Sequence, residues 1–268
     1  MRIGFIGTGA MAQAIARGAV ASGVDPATLV FSNRTATKAC DLADELGGNA
    51  ASSNVSLARQ VDIVILAVKP KDQRAVIKEI SPIVVGHPDI CVVSLAAGRT
   101  LDQITTDFGA GIPLVRVMPN VAATVGQSMT ALTATRASDA QVDAVRSLMD
   151  SVGRTILIDE DFFPVFQALA SCSPAWFFQI VDSFARAGLK YGLSKDSAVE
   201  IAAQAMAGAA ALLLAERENG TIPAQLIDRV TSPGGTTIAG LLAAEEGGLS
   251  TALVGAVDAS IHADSHLG

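Results

Sequence analysis

Eleven residues near the start, RIGFIGTGAMA at 2–12, decide how the rest of the chain is read. Arg2–Ile6 has the short apolar run of a buried strand. Gly7-Thr8-Gly9-Ala10-Met11-Ala12 follows it directly and fits G-x-G-x-x-A. From about Ala10 to Ser22 the chain reads as helix, and Gly23 is the residue type favoured just past a helix end. In this order, Gly7 permits a tight turn, Gly9 lets backbone approach a pyrophosphate, and Ala12 lets helix and strand pack closely. The free N–H groups of the helix start suit the anion. A glycine turn in some other α/β protein has similar letters, but the position between strand and helix favours a dinucleotide.

Further strands extend this unit into a sheet. Thr28–Ser32 reads as the second strand and Lys38–Leu46 as the second helix. Asp62–Val68 is continuously apolar and β-branched, the pattern of a strand covered on both faces. Ile90–Leu95 and Leu114–Val117 follow as strands, with weaker signals at Met129–Thr133 and Thr155–Ile158. Between those two, Val142, Val145, Leu148, Met149 and Val152 recur at helical spacing. Strands alternating with helices predict a parallel, doubly wound α/β sheet.

From Phe162 the strand signals stop, and Phe166–Tyr191, Ser197–Glu218 and Thr237–Ala244 read as helices. The expected organisation is a Rossmann-type dinucleotide-binding domain over 1–160 and an all-helical domain over 161–268. Ser197–Leu214 is apolar on more than one face, and such a helix must be buried. The second domain is too small to do this easily alone, so dimerisation through it is expected in preference to an ordinary central bundle helix.

Composition narrows the function classes. The chain has 268 residues, half of them hydrophobic, and a net charge of -7; its mean hydropathy is +0.43. No run of about 18 uninterrupted apolar residues occurs, so no membrane span is expected. The scattered acidic charge offers no basic stripe for nucleic acid. Cys40, Cys91 and Cys172 form no metal motif and no secreted disulfide framework, so no metal is expected. With no signal-peptide pattern, a cytoplasmic enzyme acting on a small molecule is the default. Of His87, His262 and His266, none lies in a catalytic motif.

The end of the second strand speaks to the cofactor. An NAD site usually places an acid there, on the ribose 2′-hydroxyl. Here the position reads Ser32-Asn33-Arg34-Thr35, with hydroxyls, an amide and an arginine, which suit a 2′-phosphate. NADP(H) is therefore preferred, with NAD(H) as the alternative. A solvated turn would read similarly. Lys69-Pro70, at the carboxyl end of the strongest strand, lies on the rim where ligands bind, so that Lys69 faces a cofactor phosphate or is a solvent-exposed lysine before a rigid turn.

One stretch breaks the helical C-terminal part: Thr231-Ser232-Pro233-Gly234-Gly235-Thr236-Thr237. Pro233 suits a turn or first helical turn, and Ser232 can cap. Gly234 and Gly235 allow N–H groups to approach a ligand closely. A helix starting near Thr236 adds its positive end. Together these describe a cradle for a carboxylate, or a capped helix start with no ligand.

MRIGFIGTGAMAQAI, SNRT, AVKP, SLAAG, RVMPN and TSPGGTT, in this order and over nearly the whole chain, resemble the pyrroline-5-carboxylate reductase family. The resemblance implies reduction of 1-pyrroline-5-carboxylate, a cyclic imino acid, to L-proline by hydride from NAD(P)H. It also implies a helical domain interlocked with a second subunit, with assemblies of five such dimers. By resemblance, Ile6, Gly7, Thr8, Gly9, Ala10 and Met11 bind the dinucleotide and Asn54 lies near the adenine ribose. Ala67, Val68, Lys69 and Pro70 run along the cofactor, and Met118, Pro119 and Asn120 lie near the nicotinamide. The substrate carboxylate rests on Ser232, Gly234, Gly235, Thr236 and Thr237, and Thr237 matches a hydroxyl donor to the ring nitrogen.

The chain departs from that family at Ala170-Ser171-Cys172-Ser173-Pro174-Ala175-Trp176, where the family carries a Ser-Gly-Ser-Gly-Pro-Ala-Tyr-like segment. Val121-Ala122 also stands where Thr-Pro is usual. These differences leave a reductase of a related cyclic imino acid open. A β-hydroxyacid-dehydrogenase-like enzyme would need a catalytic lysine; Lys190 and Lys195 lack the expected setting. An NADPH-binding regulator is the non-enzyme alternative.

Overall fold

The computed structural model of the chain describes residues 1–264, so His266 lies outside the described residues. Its described residues form two compact units: 1–171 together with 261–264, and 172–260.

The first unit is built in sequence order. β1 (Ile3–Ile6) leads into α1 (Ala10–Ala21), β2 (Leu29–Ser32) into α2 (Ala36–Leu46), and β3 (Asn49–Ala50) into α3 (Asn54–Ala58). β4 (Ile63–Leu66), α4 (Pro70–Val84), β5 (Cys91–Ser94), α5 (Leu101–Phe108) and β6 (Leu114–Met118) follow. β7 (Ser128–Thr135), α6 (Asp139–Asp150) and β8 (Gly153–Leu157) complete the sheet. The spatial order is β3-β2-β1-β4-β5-β6-β7-β8. The chain leaves β1 in both directions, as in a doubly wound sheet.

Period-two alternation sorts the strand side chains. Phe5, Phe31, Ile65 and Val93 pack on the face that carries α1, α2 and α6. Ile6, Val64, Leu66 and Val92 pack with α3, α4 and α5 on the other. Phe5 and Phe31 stack across β1 and β2 with ring centroids 5.5 Å apart. Each such fully buried side chain contributes roughly 1.5–3 kcal/mol through removal of apolar area from water. Cys91 lies in the same core, and burial pushes its thiol up to about 12; Cys40 is exposed and all three cysteines are free.

One strand corrects the expectation of a fully parallel sheet. β7 runs antiparallel to β6, with Leu114 opposite Thr135 and Met118 opposite Ala131. The connection is short and holds only a 3-10 turn at Val121–Val125. A parallel return needs a crossover of a dozen or more residues, usually a helix. β8 then pairs parallel to β7.

After β8 comes α7 (Phe163–Phe166), a π-helical turn at Gln167–Cys172, and α8 (Ser173–Lys190). The expected single helix over Phe166–Tyr191 is thus interrupted. The remaining helices are α9 (Lys195–Glu216), α10 (Pro223–Val230), α11 (Thr236–Glu246) and α12 (Leu249–Asp264). In the second unit large apolar side chains stay exposed on the single chain, among them Phe178 at 68%, Ile201 at 58% and Val254 at 63%. Only Ala198 of α9 is buried. By length and composition alone, the helical stretch Lys195–Asn219 is apolar enough to cross a bilayer, the one such stretch among the described residues.

Candidate functional site

The glycine turn sits at the carboxyl end of β1. Gly7 has φ +99, and a Cβ there would lie 2.8 Å from the Ala67 carbonyl oxygen. Backbone conformation and close approach to the β4 exit both require glycine. Gly9 is different: a Cβ would meet nothing within 4 Å. Its smallness meets no need inside the chain and suits the approach of a ligand. Gly9 caps α1 without any side-chain hydrogen bond, and Ala10 and Gly9 are exposed, so the first N–H groups of α1 face outward as an anion site. Beside them Thr8 Oγ1 is buried with no hydrogen-bond partner among the described residues. Gln13 Nε2 donates to the Thr8 carbonyl, 2.9 Å. An open cradle and an orphaned hydroxyl fit a bound pyrophosphate.

The end of β2 is tied to this turn. Gly7 N donates to the Ser32 carbonyl at 2.8 Å, and Thr8 N to Asn33 Oδ1 at 3.4 Å. Ser32 is buried; its hydroxyl donates to Asn54 Oδ1 at 2.8 Å. Asn54 opens α3, and its Nδ2 donates to Glu79 Oε2 on α4 at 2.7 Å. Arg34 is exposed, as is Lys38 in the first turn of α2. Lys38 is a second cation at this edge that the sequence reading did not single out.

At the ends of β4 and β5, Ala67 and Val68 are half-buried while Lys69 and Pro70 are exposed. Lys69 caps α4 and Pro70 takes its first position, where a missing N–H costs nothing. Gln73, fully buried one turn on, donates to Ser94 Oγ at 2.7 Å and accepts from Arg99 Nε at 3.3 Å. Arg99 pairs with Asp107, which also takes Arg74 at 3.1 Å. This network fixes the Leu95–Arg99 loop. Sequence reasoning missed it; the available signal was a glutamine on the apolar face shared by Val76, Ile77 and Ile80.

At the end of β6, Met118 is buried against Ala131 and Phe163. Asn120 is committed internally. Its Oδ1 accepts from Ala122 N at 3.2 Å, and its Nδ2 donates to the Ala170 carbonyl at 2.8 Å. Its backbone N donates to Ser128 Oγ at 3.1 Å. Asn120 therefore ties the exit of β6 to the π-helical turn. Nearby, Arg116 donates to Glu160 at 2.8 Å and lies 4.3 Å above the Phe163 ring.

The second unit holds the glycine-rich loop. Gly235 N donates to the Ser232 carbonyl at 3.0 Å, closing a turn over Pro233 and Gly234. Gly234 has φ +68, and a Cβ on Gly235 would lie 2.4 Å from Ser232 Oγ. The cap of α11 is Gly235 and not Ser232, and no side chain satisfies it. Thr236 and Thr237 occupy the exposed first turn. Ser232 serves the turn through its carbonyl, because two residues separate it from the cap. The arrangement leaves uncapped N–H groups and two hydroxyls at one helix start.

A doubly wound sheet with this glycine turn defines a dinucleotide-binding oxidoreductase of the Rossmann class. Residues 2–98 match the family model described as NADP oxidoreductase, coenzyme F420-dependent, and residues 160–267 match pyrroline-5-carboxylate reductase dimerisation. The chain is 36% identical to the pyrroline-5-carboxylate reductase of Escherichia coli over 258 residues, covering 96% of this chain and 94% of that one. A solved pyrroline-5-carboxylate reductase from Coxiella burnetii superposes with TM-score 0.94 at 33% identity, over 100% of this chain and 98% of the other. The Plasmodium falciparum pyrroline carboxylate reductase, solved with NADP bound, gives TM-score 0.83 at 26% identity over 100% and 98%. The chain belongs to the pyrroline-5-carboxylate reductase family.

Proposed function

We propose that this chain reduces 1-pyrroline-5-carboxylate to L-proline with NADPH as the preferred donor. The observation that carries this reading is the relation to enzymes of that name over nearly the full length of both chains. The NADP-bound relative and the cations Arg34 and Lys38 support the choice of NADP(H).

Bound at the glycine turn, the dinucleotide supplies the hydride that the imine carbon gains, while the ring nitrogen keeps or takes a proton. The protein's part is positioning and exclusion of water. In this reading Ile6–Met11 hold the pyrophosphate on the start of α1. Ser32 and Asn54 meet the adenosine ribose, and Asn33 and Arg34 its 2′-phosphate. Ala67, Val68, Lys69, Pro70, Met118 and Asn120 line the path to the nicotinamide. The uncapped N–H groups of Thr236 and Thr237, with Ser232, Gly234 and Gly235 shaping the turn, take the substrate carboxylate. Thr237 orients the ring nitrogen through its hydroxyl. Residues 1–160 form the nucleotide domain and 161–268 the substrate and dimerisation domain.

The exposed apolar side chains of α8, α9 and α12 support a homodimer that covers them, with five dimers forming a decamer. Three free cysteines suit the reducing cytoplasm.

The test is loss of reduced-nicotinamide absorbance with 1-pyrroline-5-carboxylate, run with NADPH and NADH and beside a six-membered cyclic imino acid. Rapid, NADPH-preferring turnover of the five-membered ring is the expected result. Faster turnover of the six-membered ring would replace the substrate, and would point to the altered segment Ala170–Trp176. Thr237→Ala should lower kcat only a few-fold; a loss of many orders would make the hydroxyl an essential acid instead.

A further inference from the structure

The end of β2 carries no acid in sequence, yet a carboxylate is linked to it through one intervening side chain. Ser32, the last residue of β2, donates to Asn54 Oδ1, and Asn54 Nδ2 donates to Glu79 Oε2. The glycine turn is bonded to this same strand end, through Gly7 N to the Ser32 carbonyl. Glu79 belongs to the third turn of α4, on the far side of Asn54. An ionised carboxylate only accepts hydrogen bonds. It therefore decides which way the Asn54 amide lies: nitrogen toward Glu79, oxygen toward Ser32. That orientation in turn fixes the Ser32 proton on the Asn54 side.

We propose that Glu79 is a positioning residue of the cofactor site, acting through Asn54 and Ser32 to favour a ribose 2′-hydroxyl over a 2′-phosphate. The donor chain runs Ser32 to Asn54 to Glu79, so Ser32 Oγ is left with acceptor lone pairs. Asn54 retains one N–H and one lone pair. A ribose hydroxyl both donates and accepts, and matches these groups. A phosphate only accepts, and finds Ser32 turned the wrong way. Glu79 thus works against Arg34, and the balance of the two sets dinucleotide selectivity. The inference rests on the reading of the β2 end as the ribose site.

The test is direct binding of NADH and NADPH to the full-length protein, by fluorescence of the reduced cofactor, for Glu79→Ala, Glu79→Gln, Asn54→Ala and the double variant Glu79→Ala/Asn54→Ala. Glu79 is exposed and helical, where alanine is well tolerated. Glu79→Ala should raise the Kd for NADH roughly tenfold, the size associated with losing a hydrogen bond to a charged group, and the Kd for NADPH clearly less. Glu79→Gln, which keeps an acceptor for Asn54, should recover most of the affinity. In the Asn54→Ala background the Glu79 change should add nothing, because its only route is gone. If Asn54→Ala weakens binding while Glu79→Ala does not, or if the two losses multiply, the proposal is overturned and the ribose site stands. If Asn54→Ala leaves both affinities unchanged, the ribose site itself is misplaced and the proposal falls with it.

Discussion

Strand β4 and helix α9 are among the most apolar segments of the chain, and they meet opposite surroundings. Ile63, Val64, Ile65 and Leu66 are at most 2% exposed, covered on both faces by helices of their own unit. On α9, Ile201 is 58% and Leu212 50% exposed, and a single alanine is buried. Apolar sequence asks for cover in both cases; only the sheet unit supplies it from within. The second unit folds toward a surface that a matching chain completes, in keeping with its match to a dimerisation family.

The sharpest attempt to break this contrast is Leu212→Asp. A lone charge buried between subunits costs on the order of several kcal/mol, so sedimentation should show monomers while the sheet unit keeps its circular dichroism. An unchanged dimer would leave α9 without its assigned partner. Ile65→Ala is the converse test: a loss of about 2–5 kcal/mol in urea unfolding is expected from the cavity, with the dimer intact when folded. Gly7→Ala is next. Strain at its positive φ and the Ala67 carbonyl is worth about 1–3 kcal/mol, and calorimetry should show weaker dinucleotide binding with no change in assembly. Arg34→Ala should weaken NADPH by roughly 1.5–2 kcal/mol, the low end for a hydrogen bond to a charged group, and leave NADH almost unaffected.

The smallest effect belongs to Asp182, which joins α8 to α9 inside the second unit. Its carboxyl is held below the usual range by hydrogen bonds first from Arg186 and then from Lys195. A lowered folded value stabilises above the unfolded value and is lost as pH falls through the folded one. Wild type and Asp182→Asn should therefore differ slightly in unfolding midpoint at neutral pH and converge in acid. A gap that persists in acid would assign the effect to packing.

Much of the first unit was legible because local signals agreed with each other. β1, the glycine turn and α1 announce themselves in eleven residues, and β4 by its unbroken apolar run. The direction of β7 was not legible, since it depends on how little chain links it to β6. No helix was read over α4, whose last turn holds Pro82. In the candidate site, TSPGGTT stood out against helical neighbours, but its cap moved from Ser232 to Gly235 because the turn uses the serine carbonyl. Glu79 gave no signal at all: an exposed glutamate 25 residues from Asn54 gains meaning only when two helices bring them together.

The cysteines give the molecule a clock of its own. Cys40 lies open on α2 while Cys91 is sealed in the middle strand of the sheet, its thiol held protonated by burial. An alkylating reagent will mark Cys40 at once, but it reaches Cys91 only when the sheet comes apart. The lag between the two labels therefore measures how often the nucleotide-binding unit opens, with no engineered thiol needed.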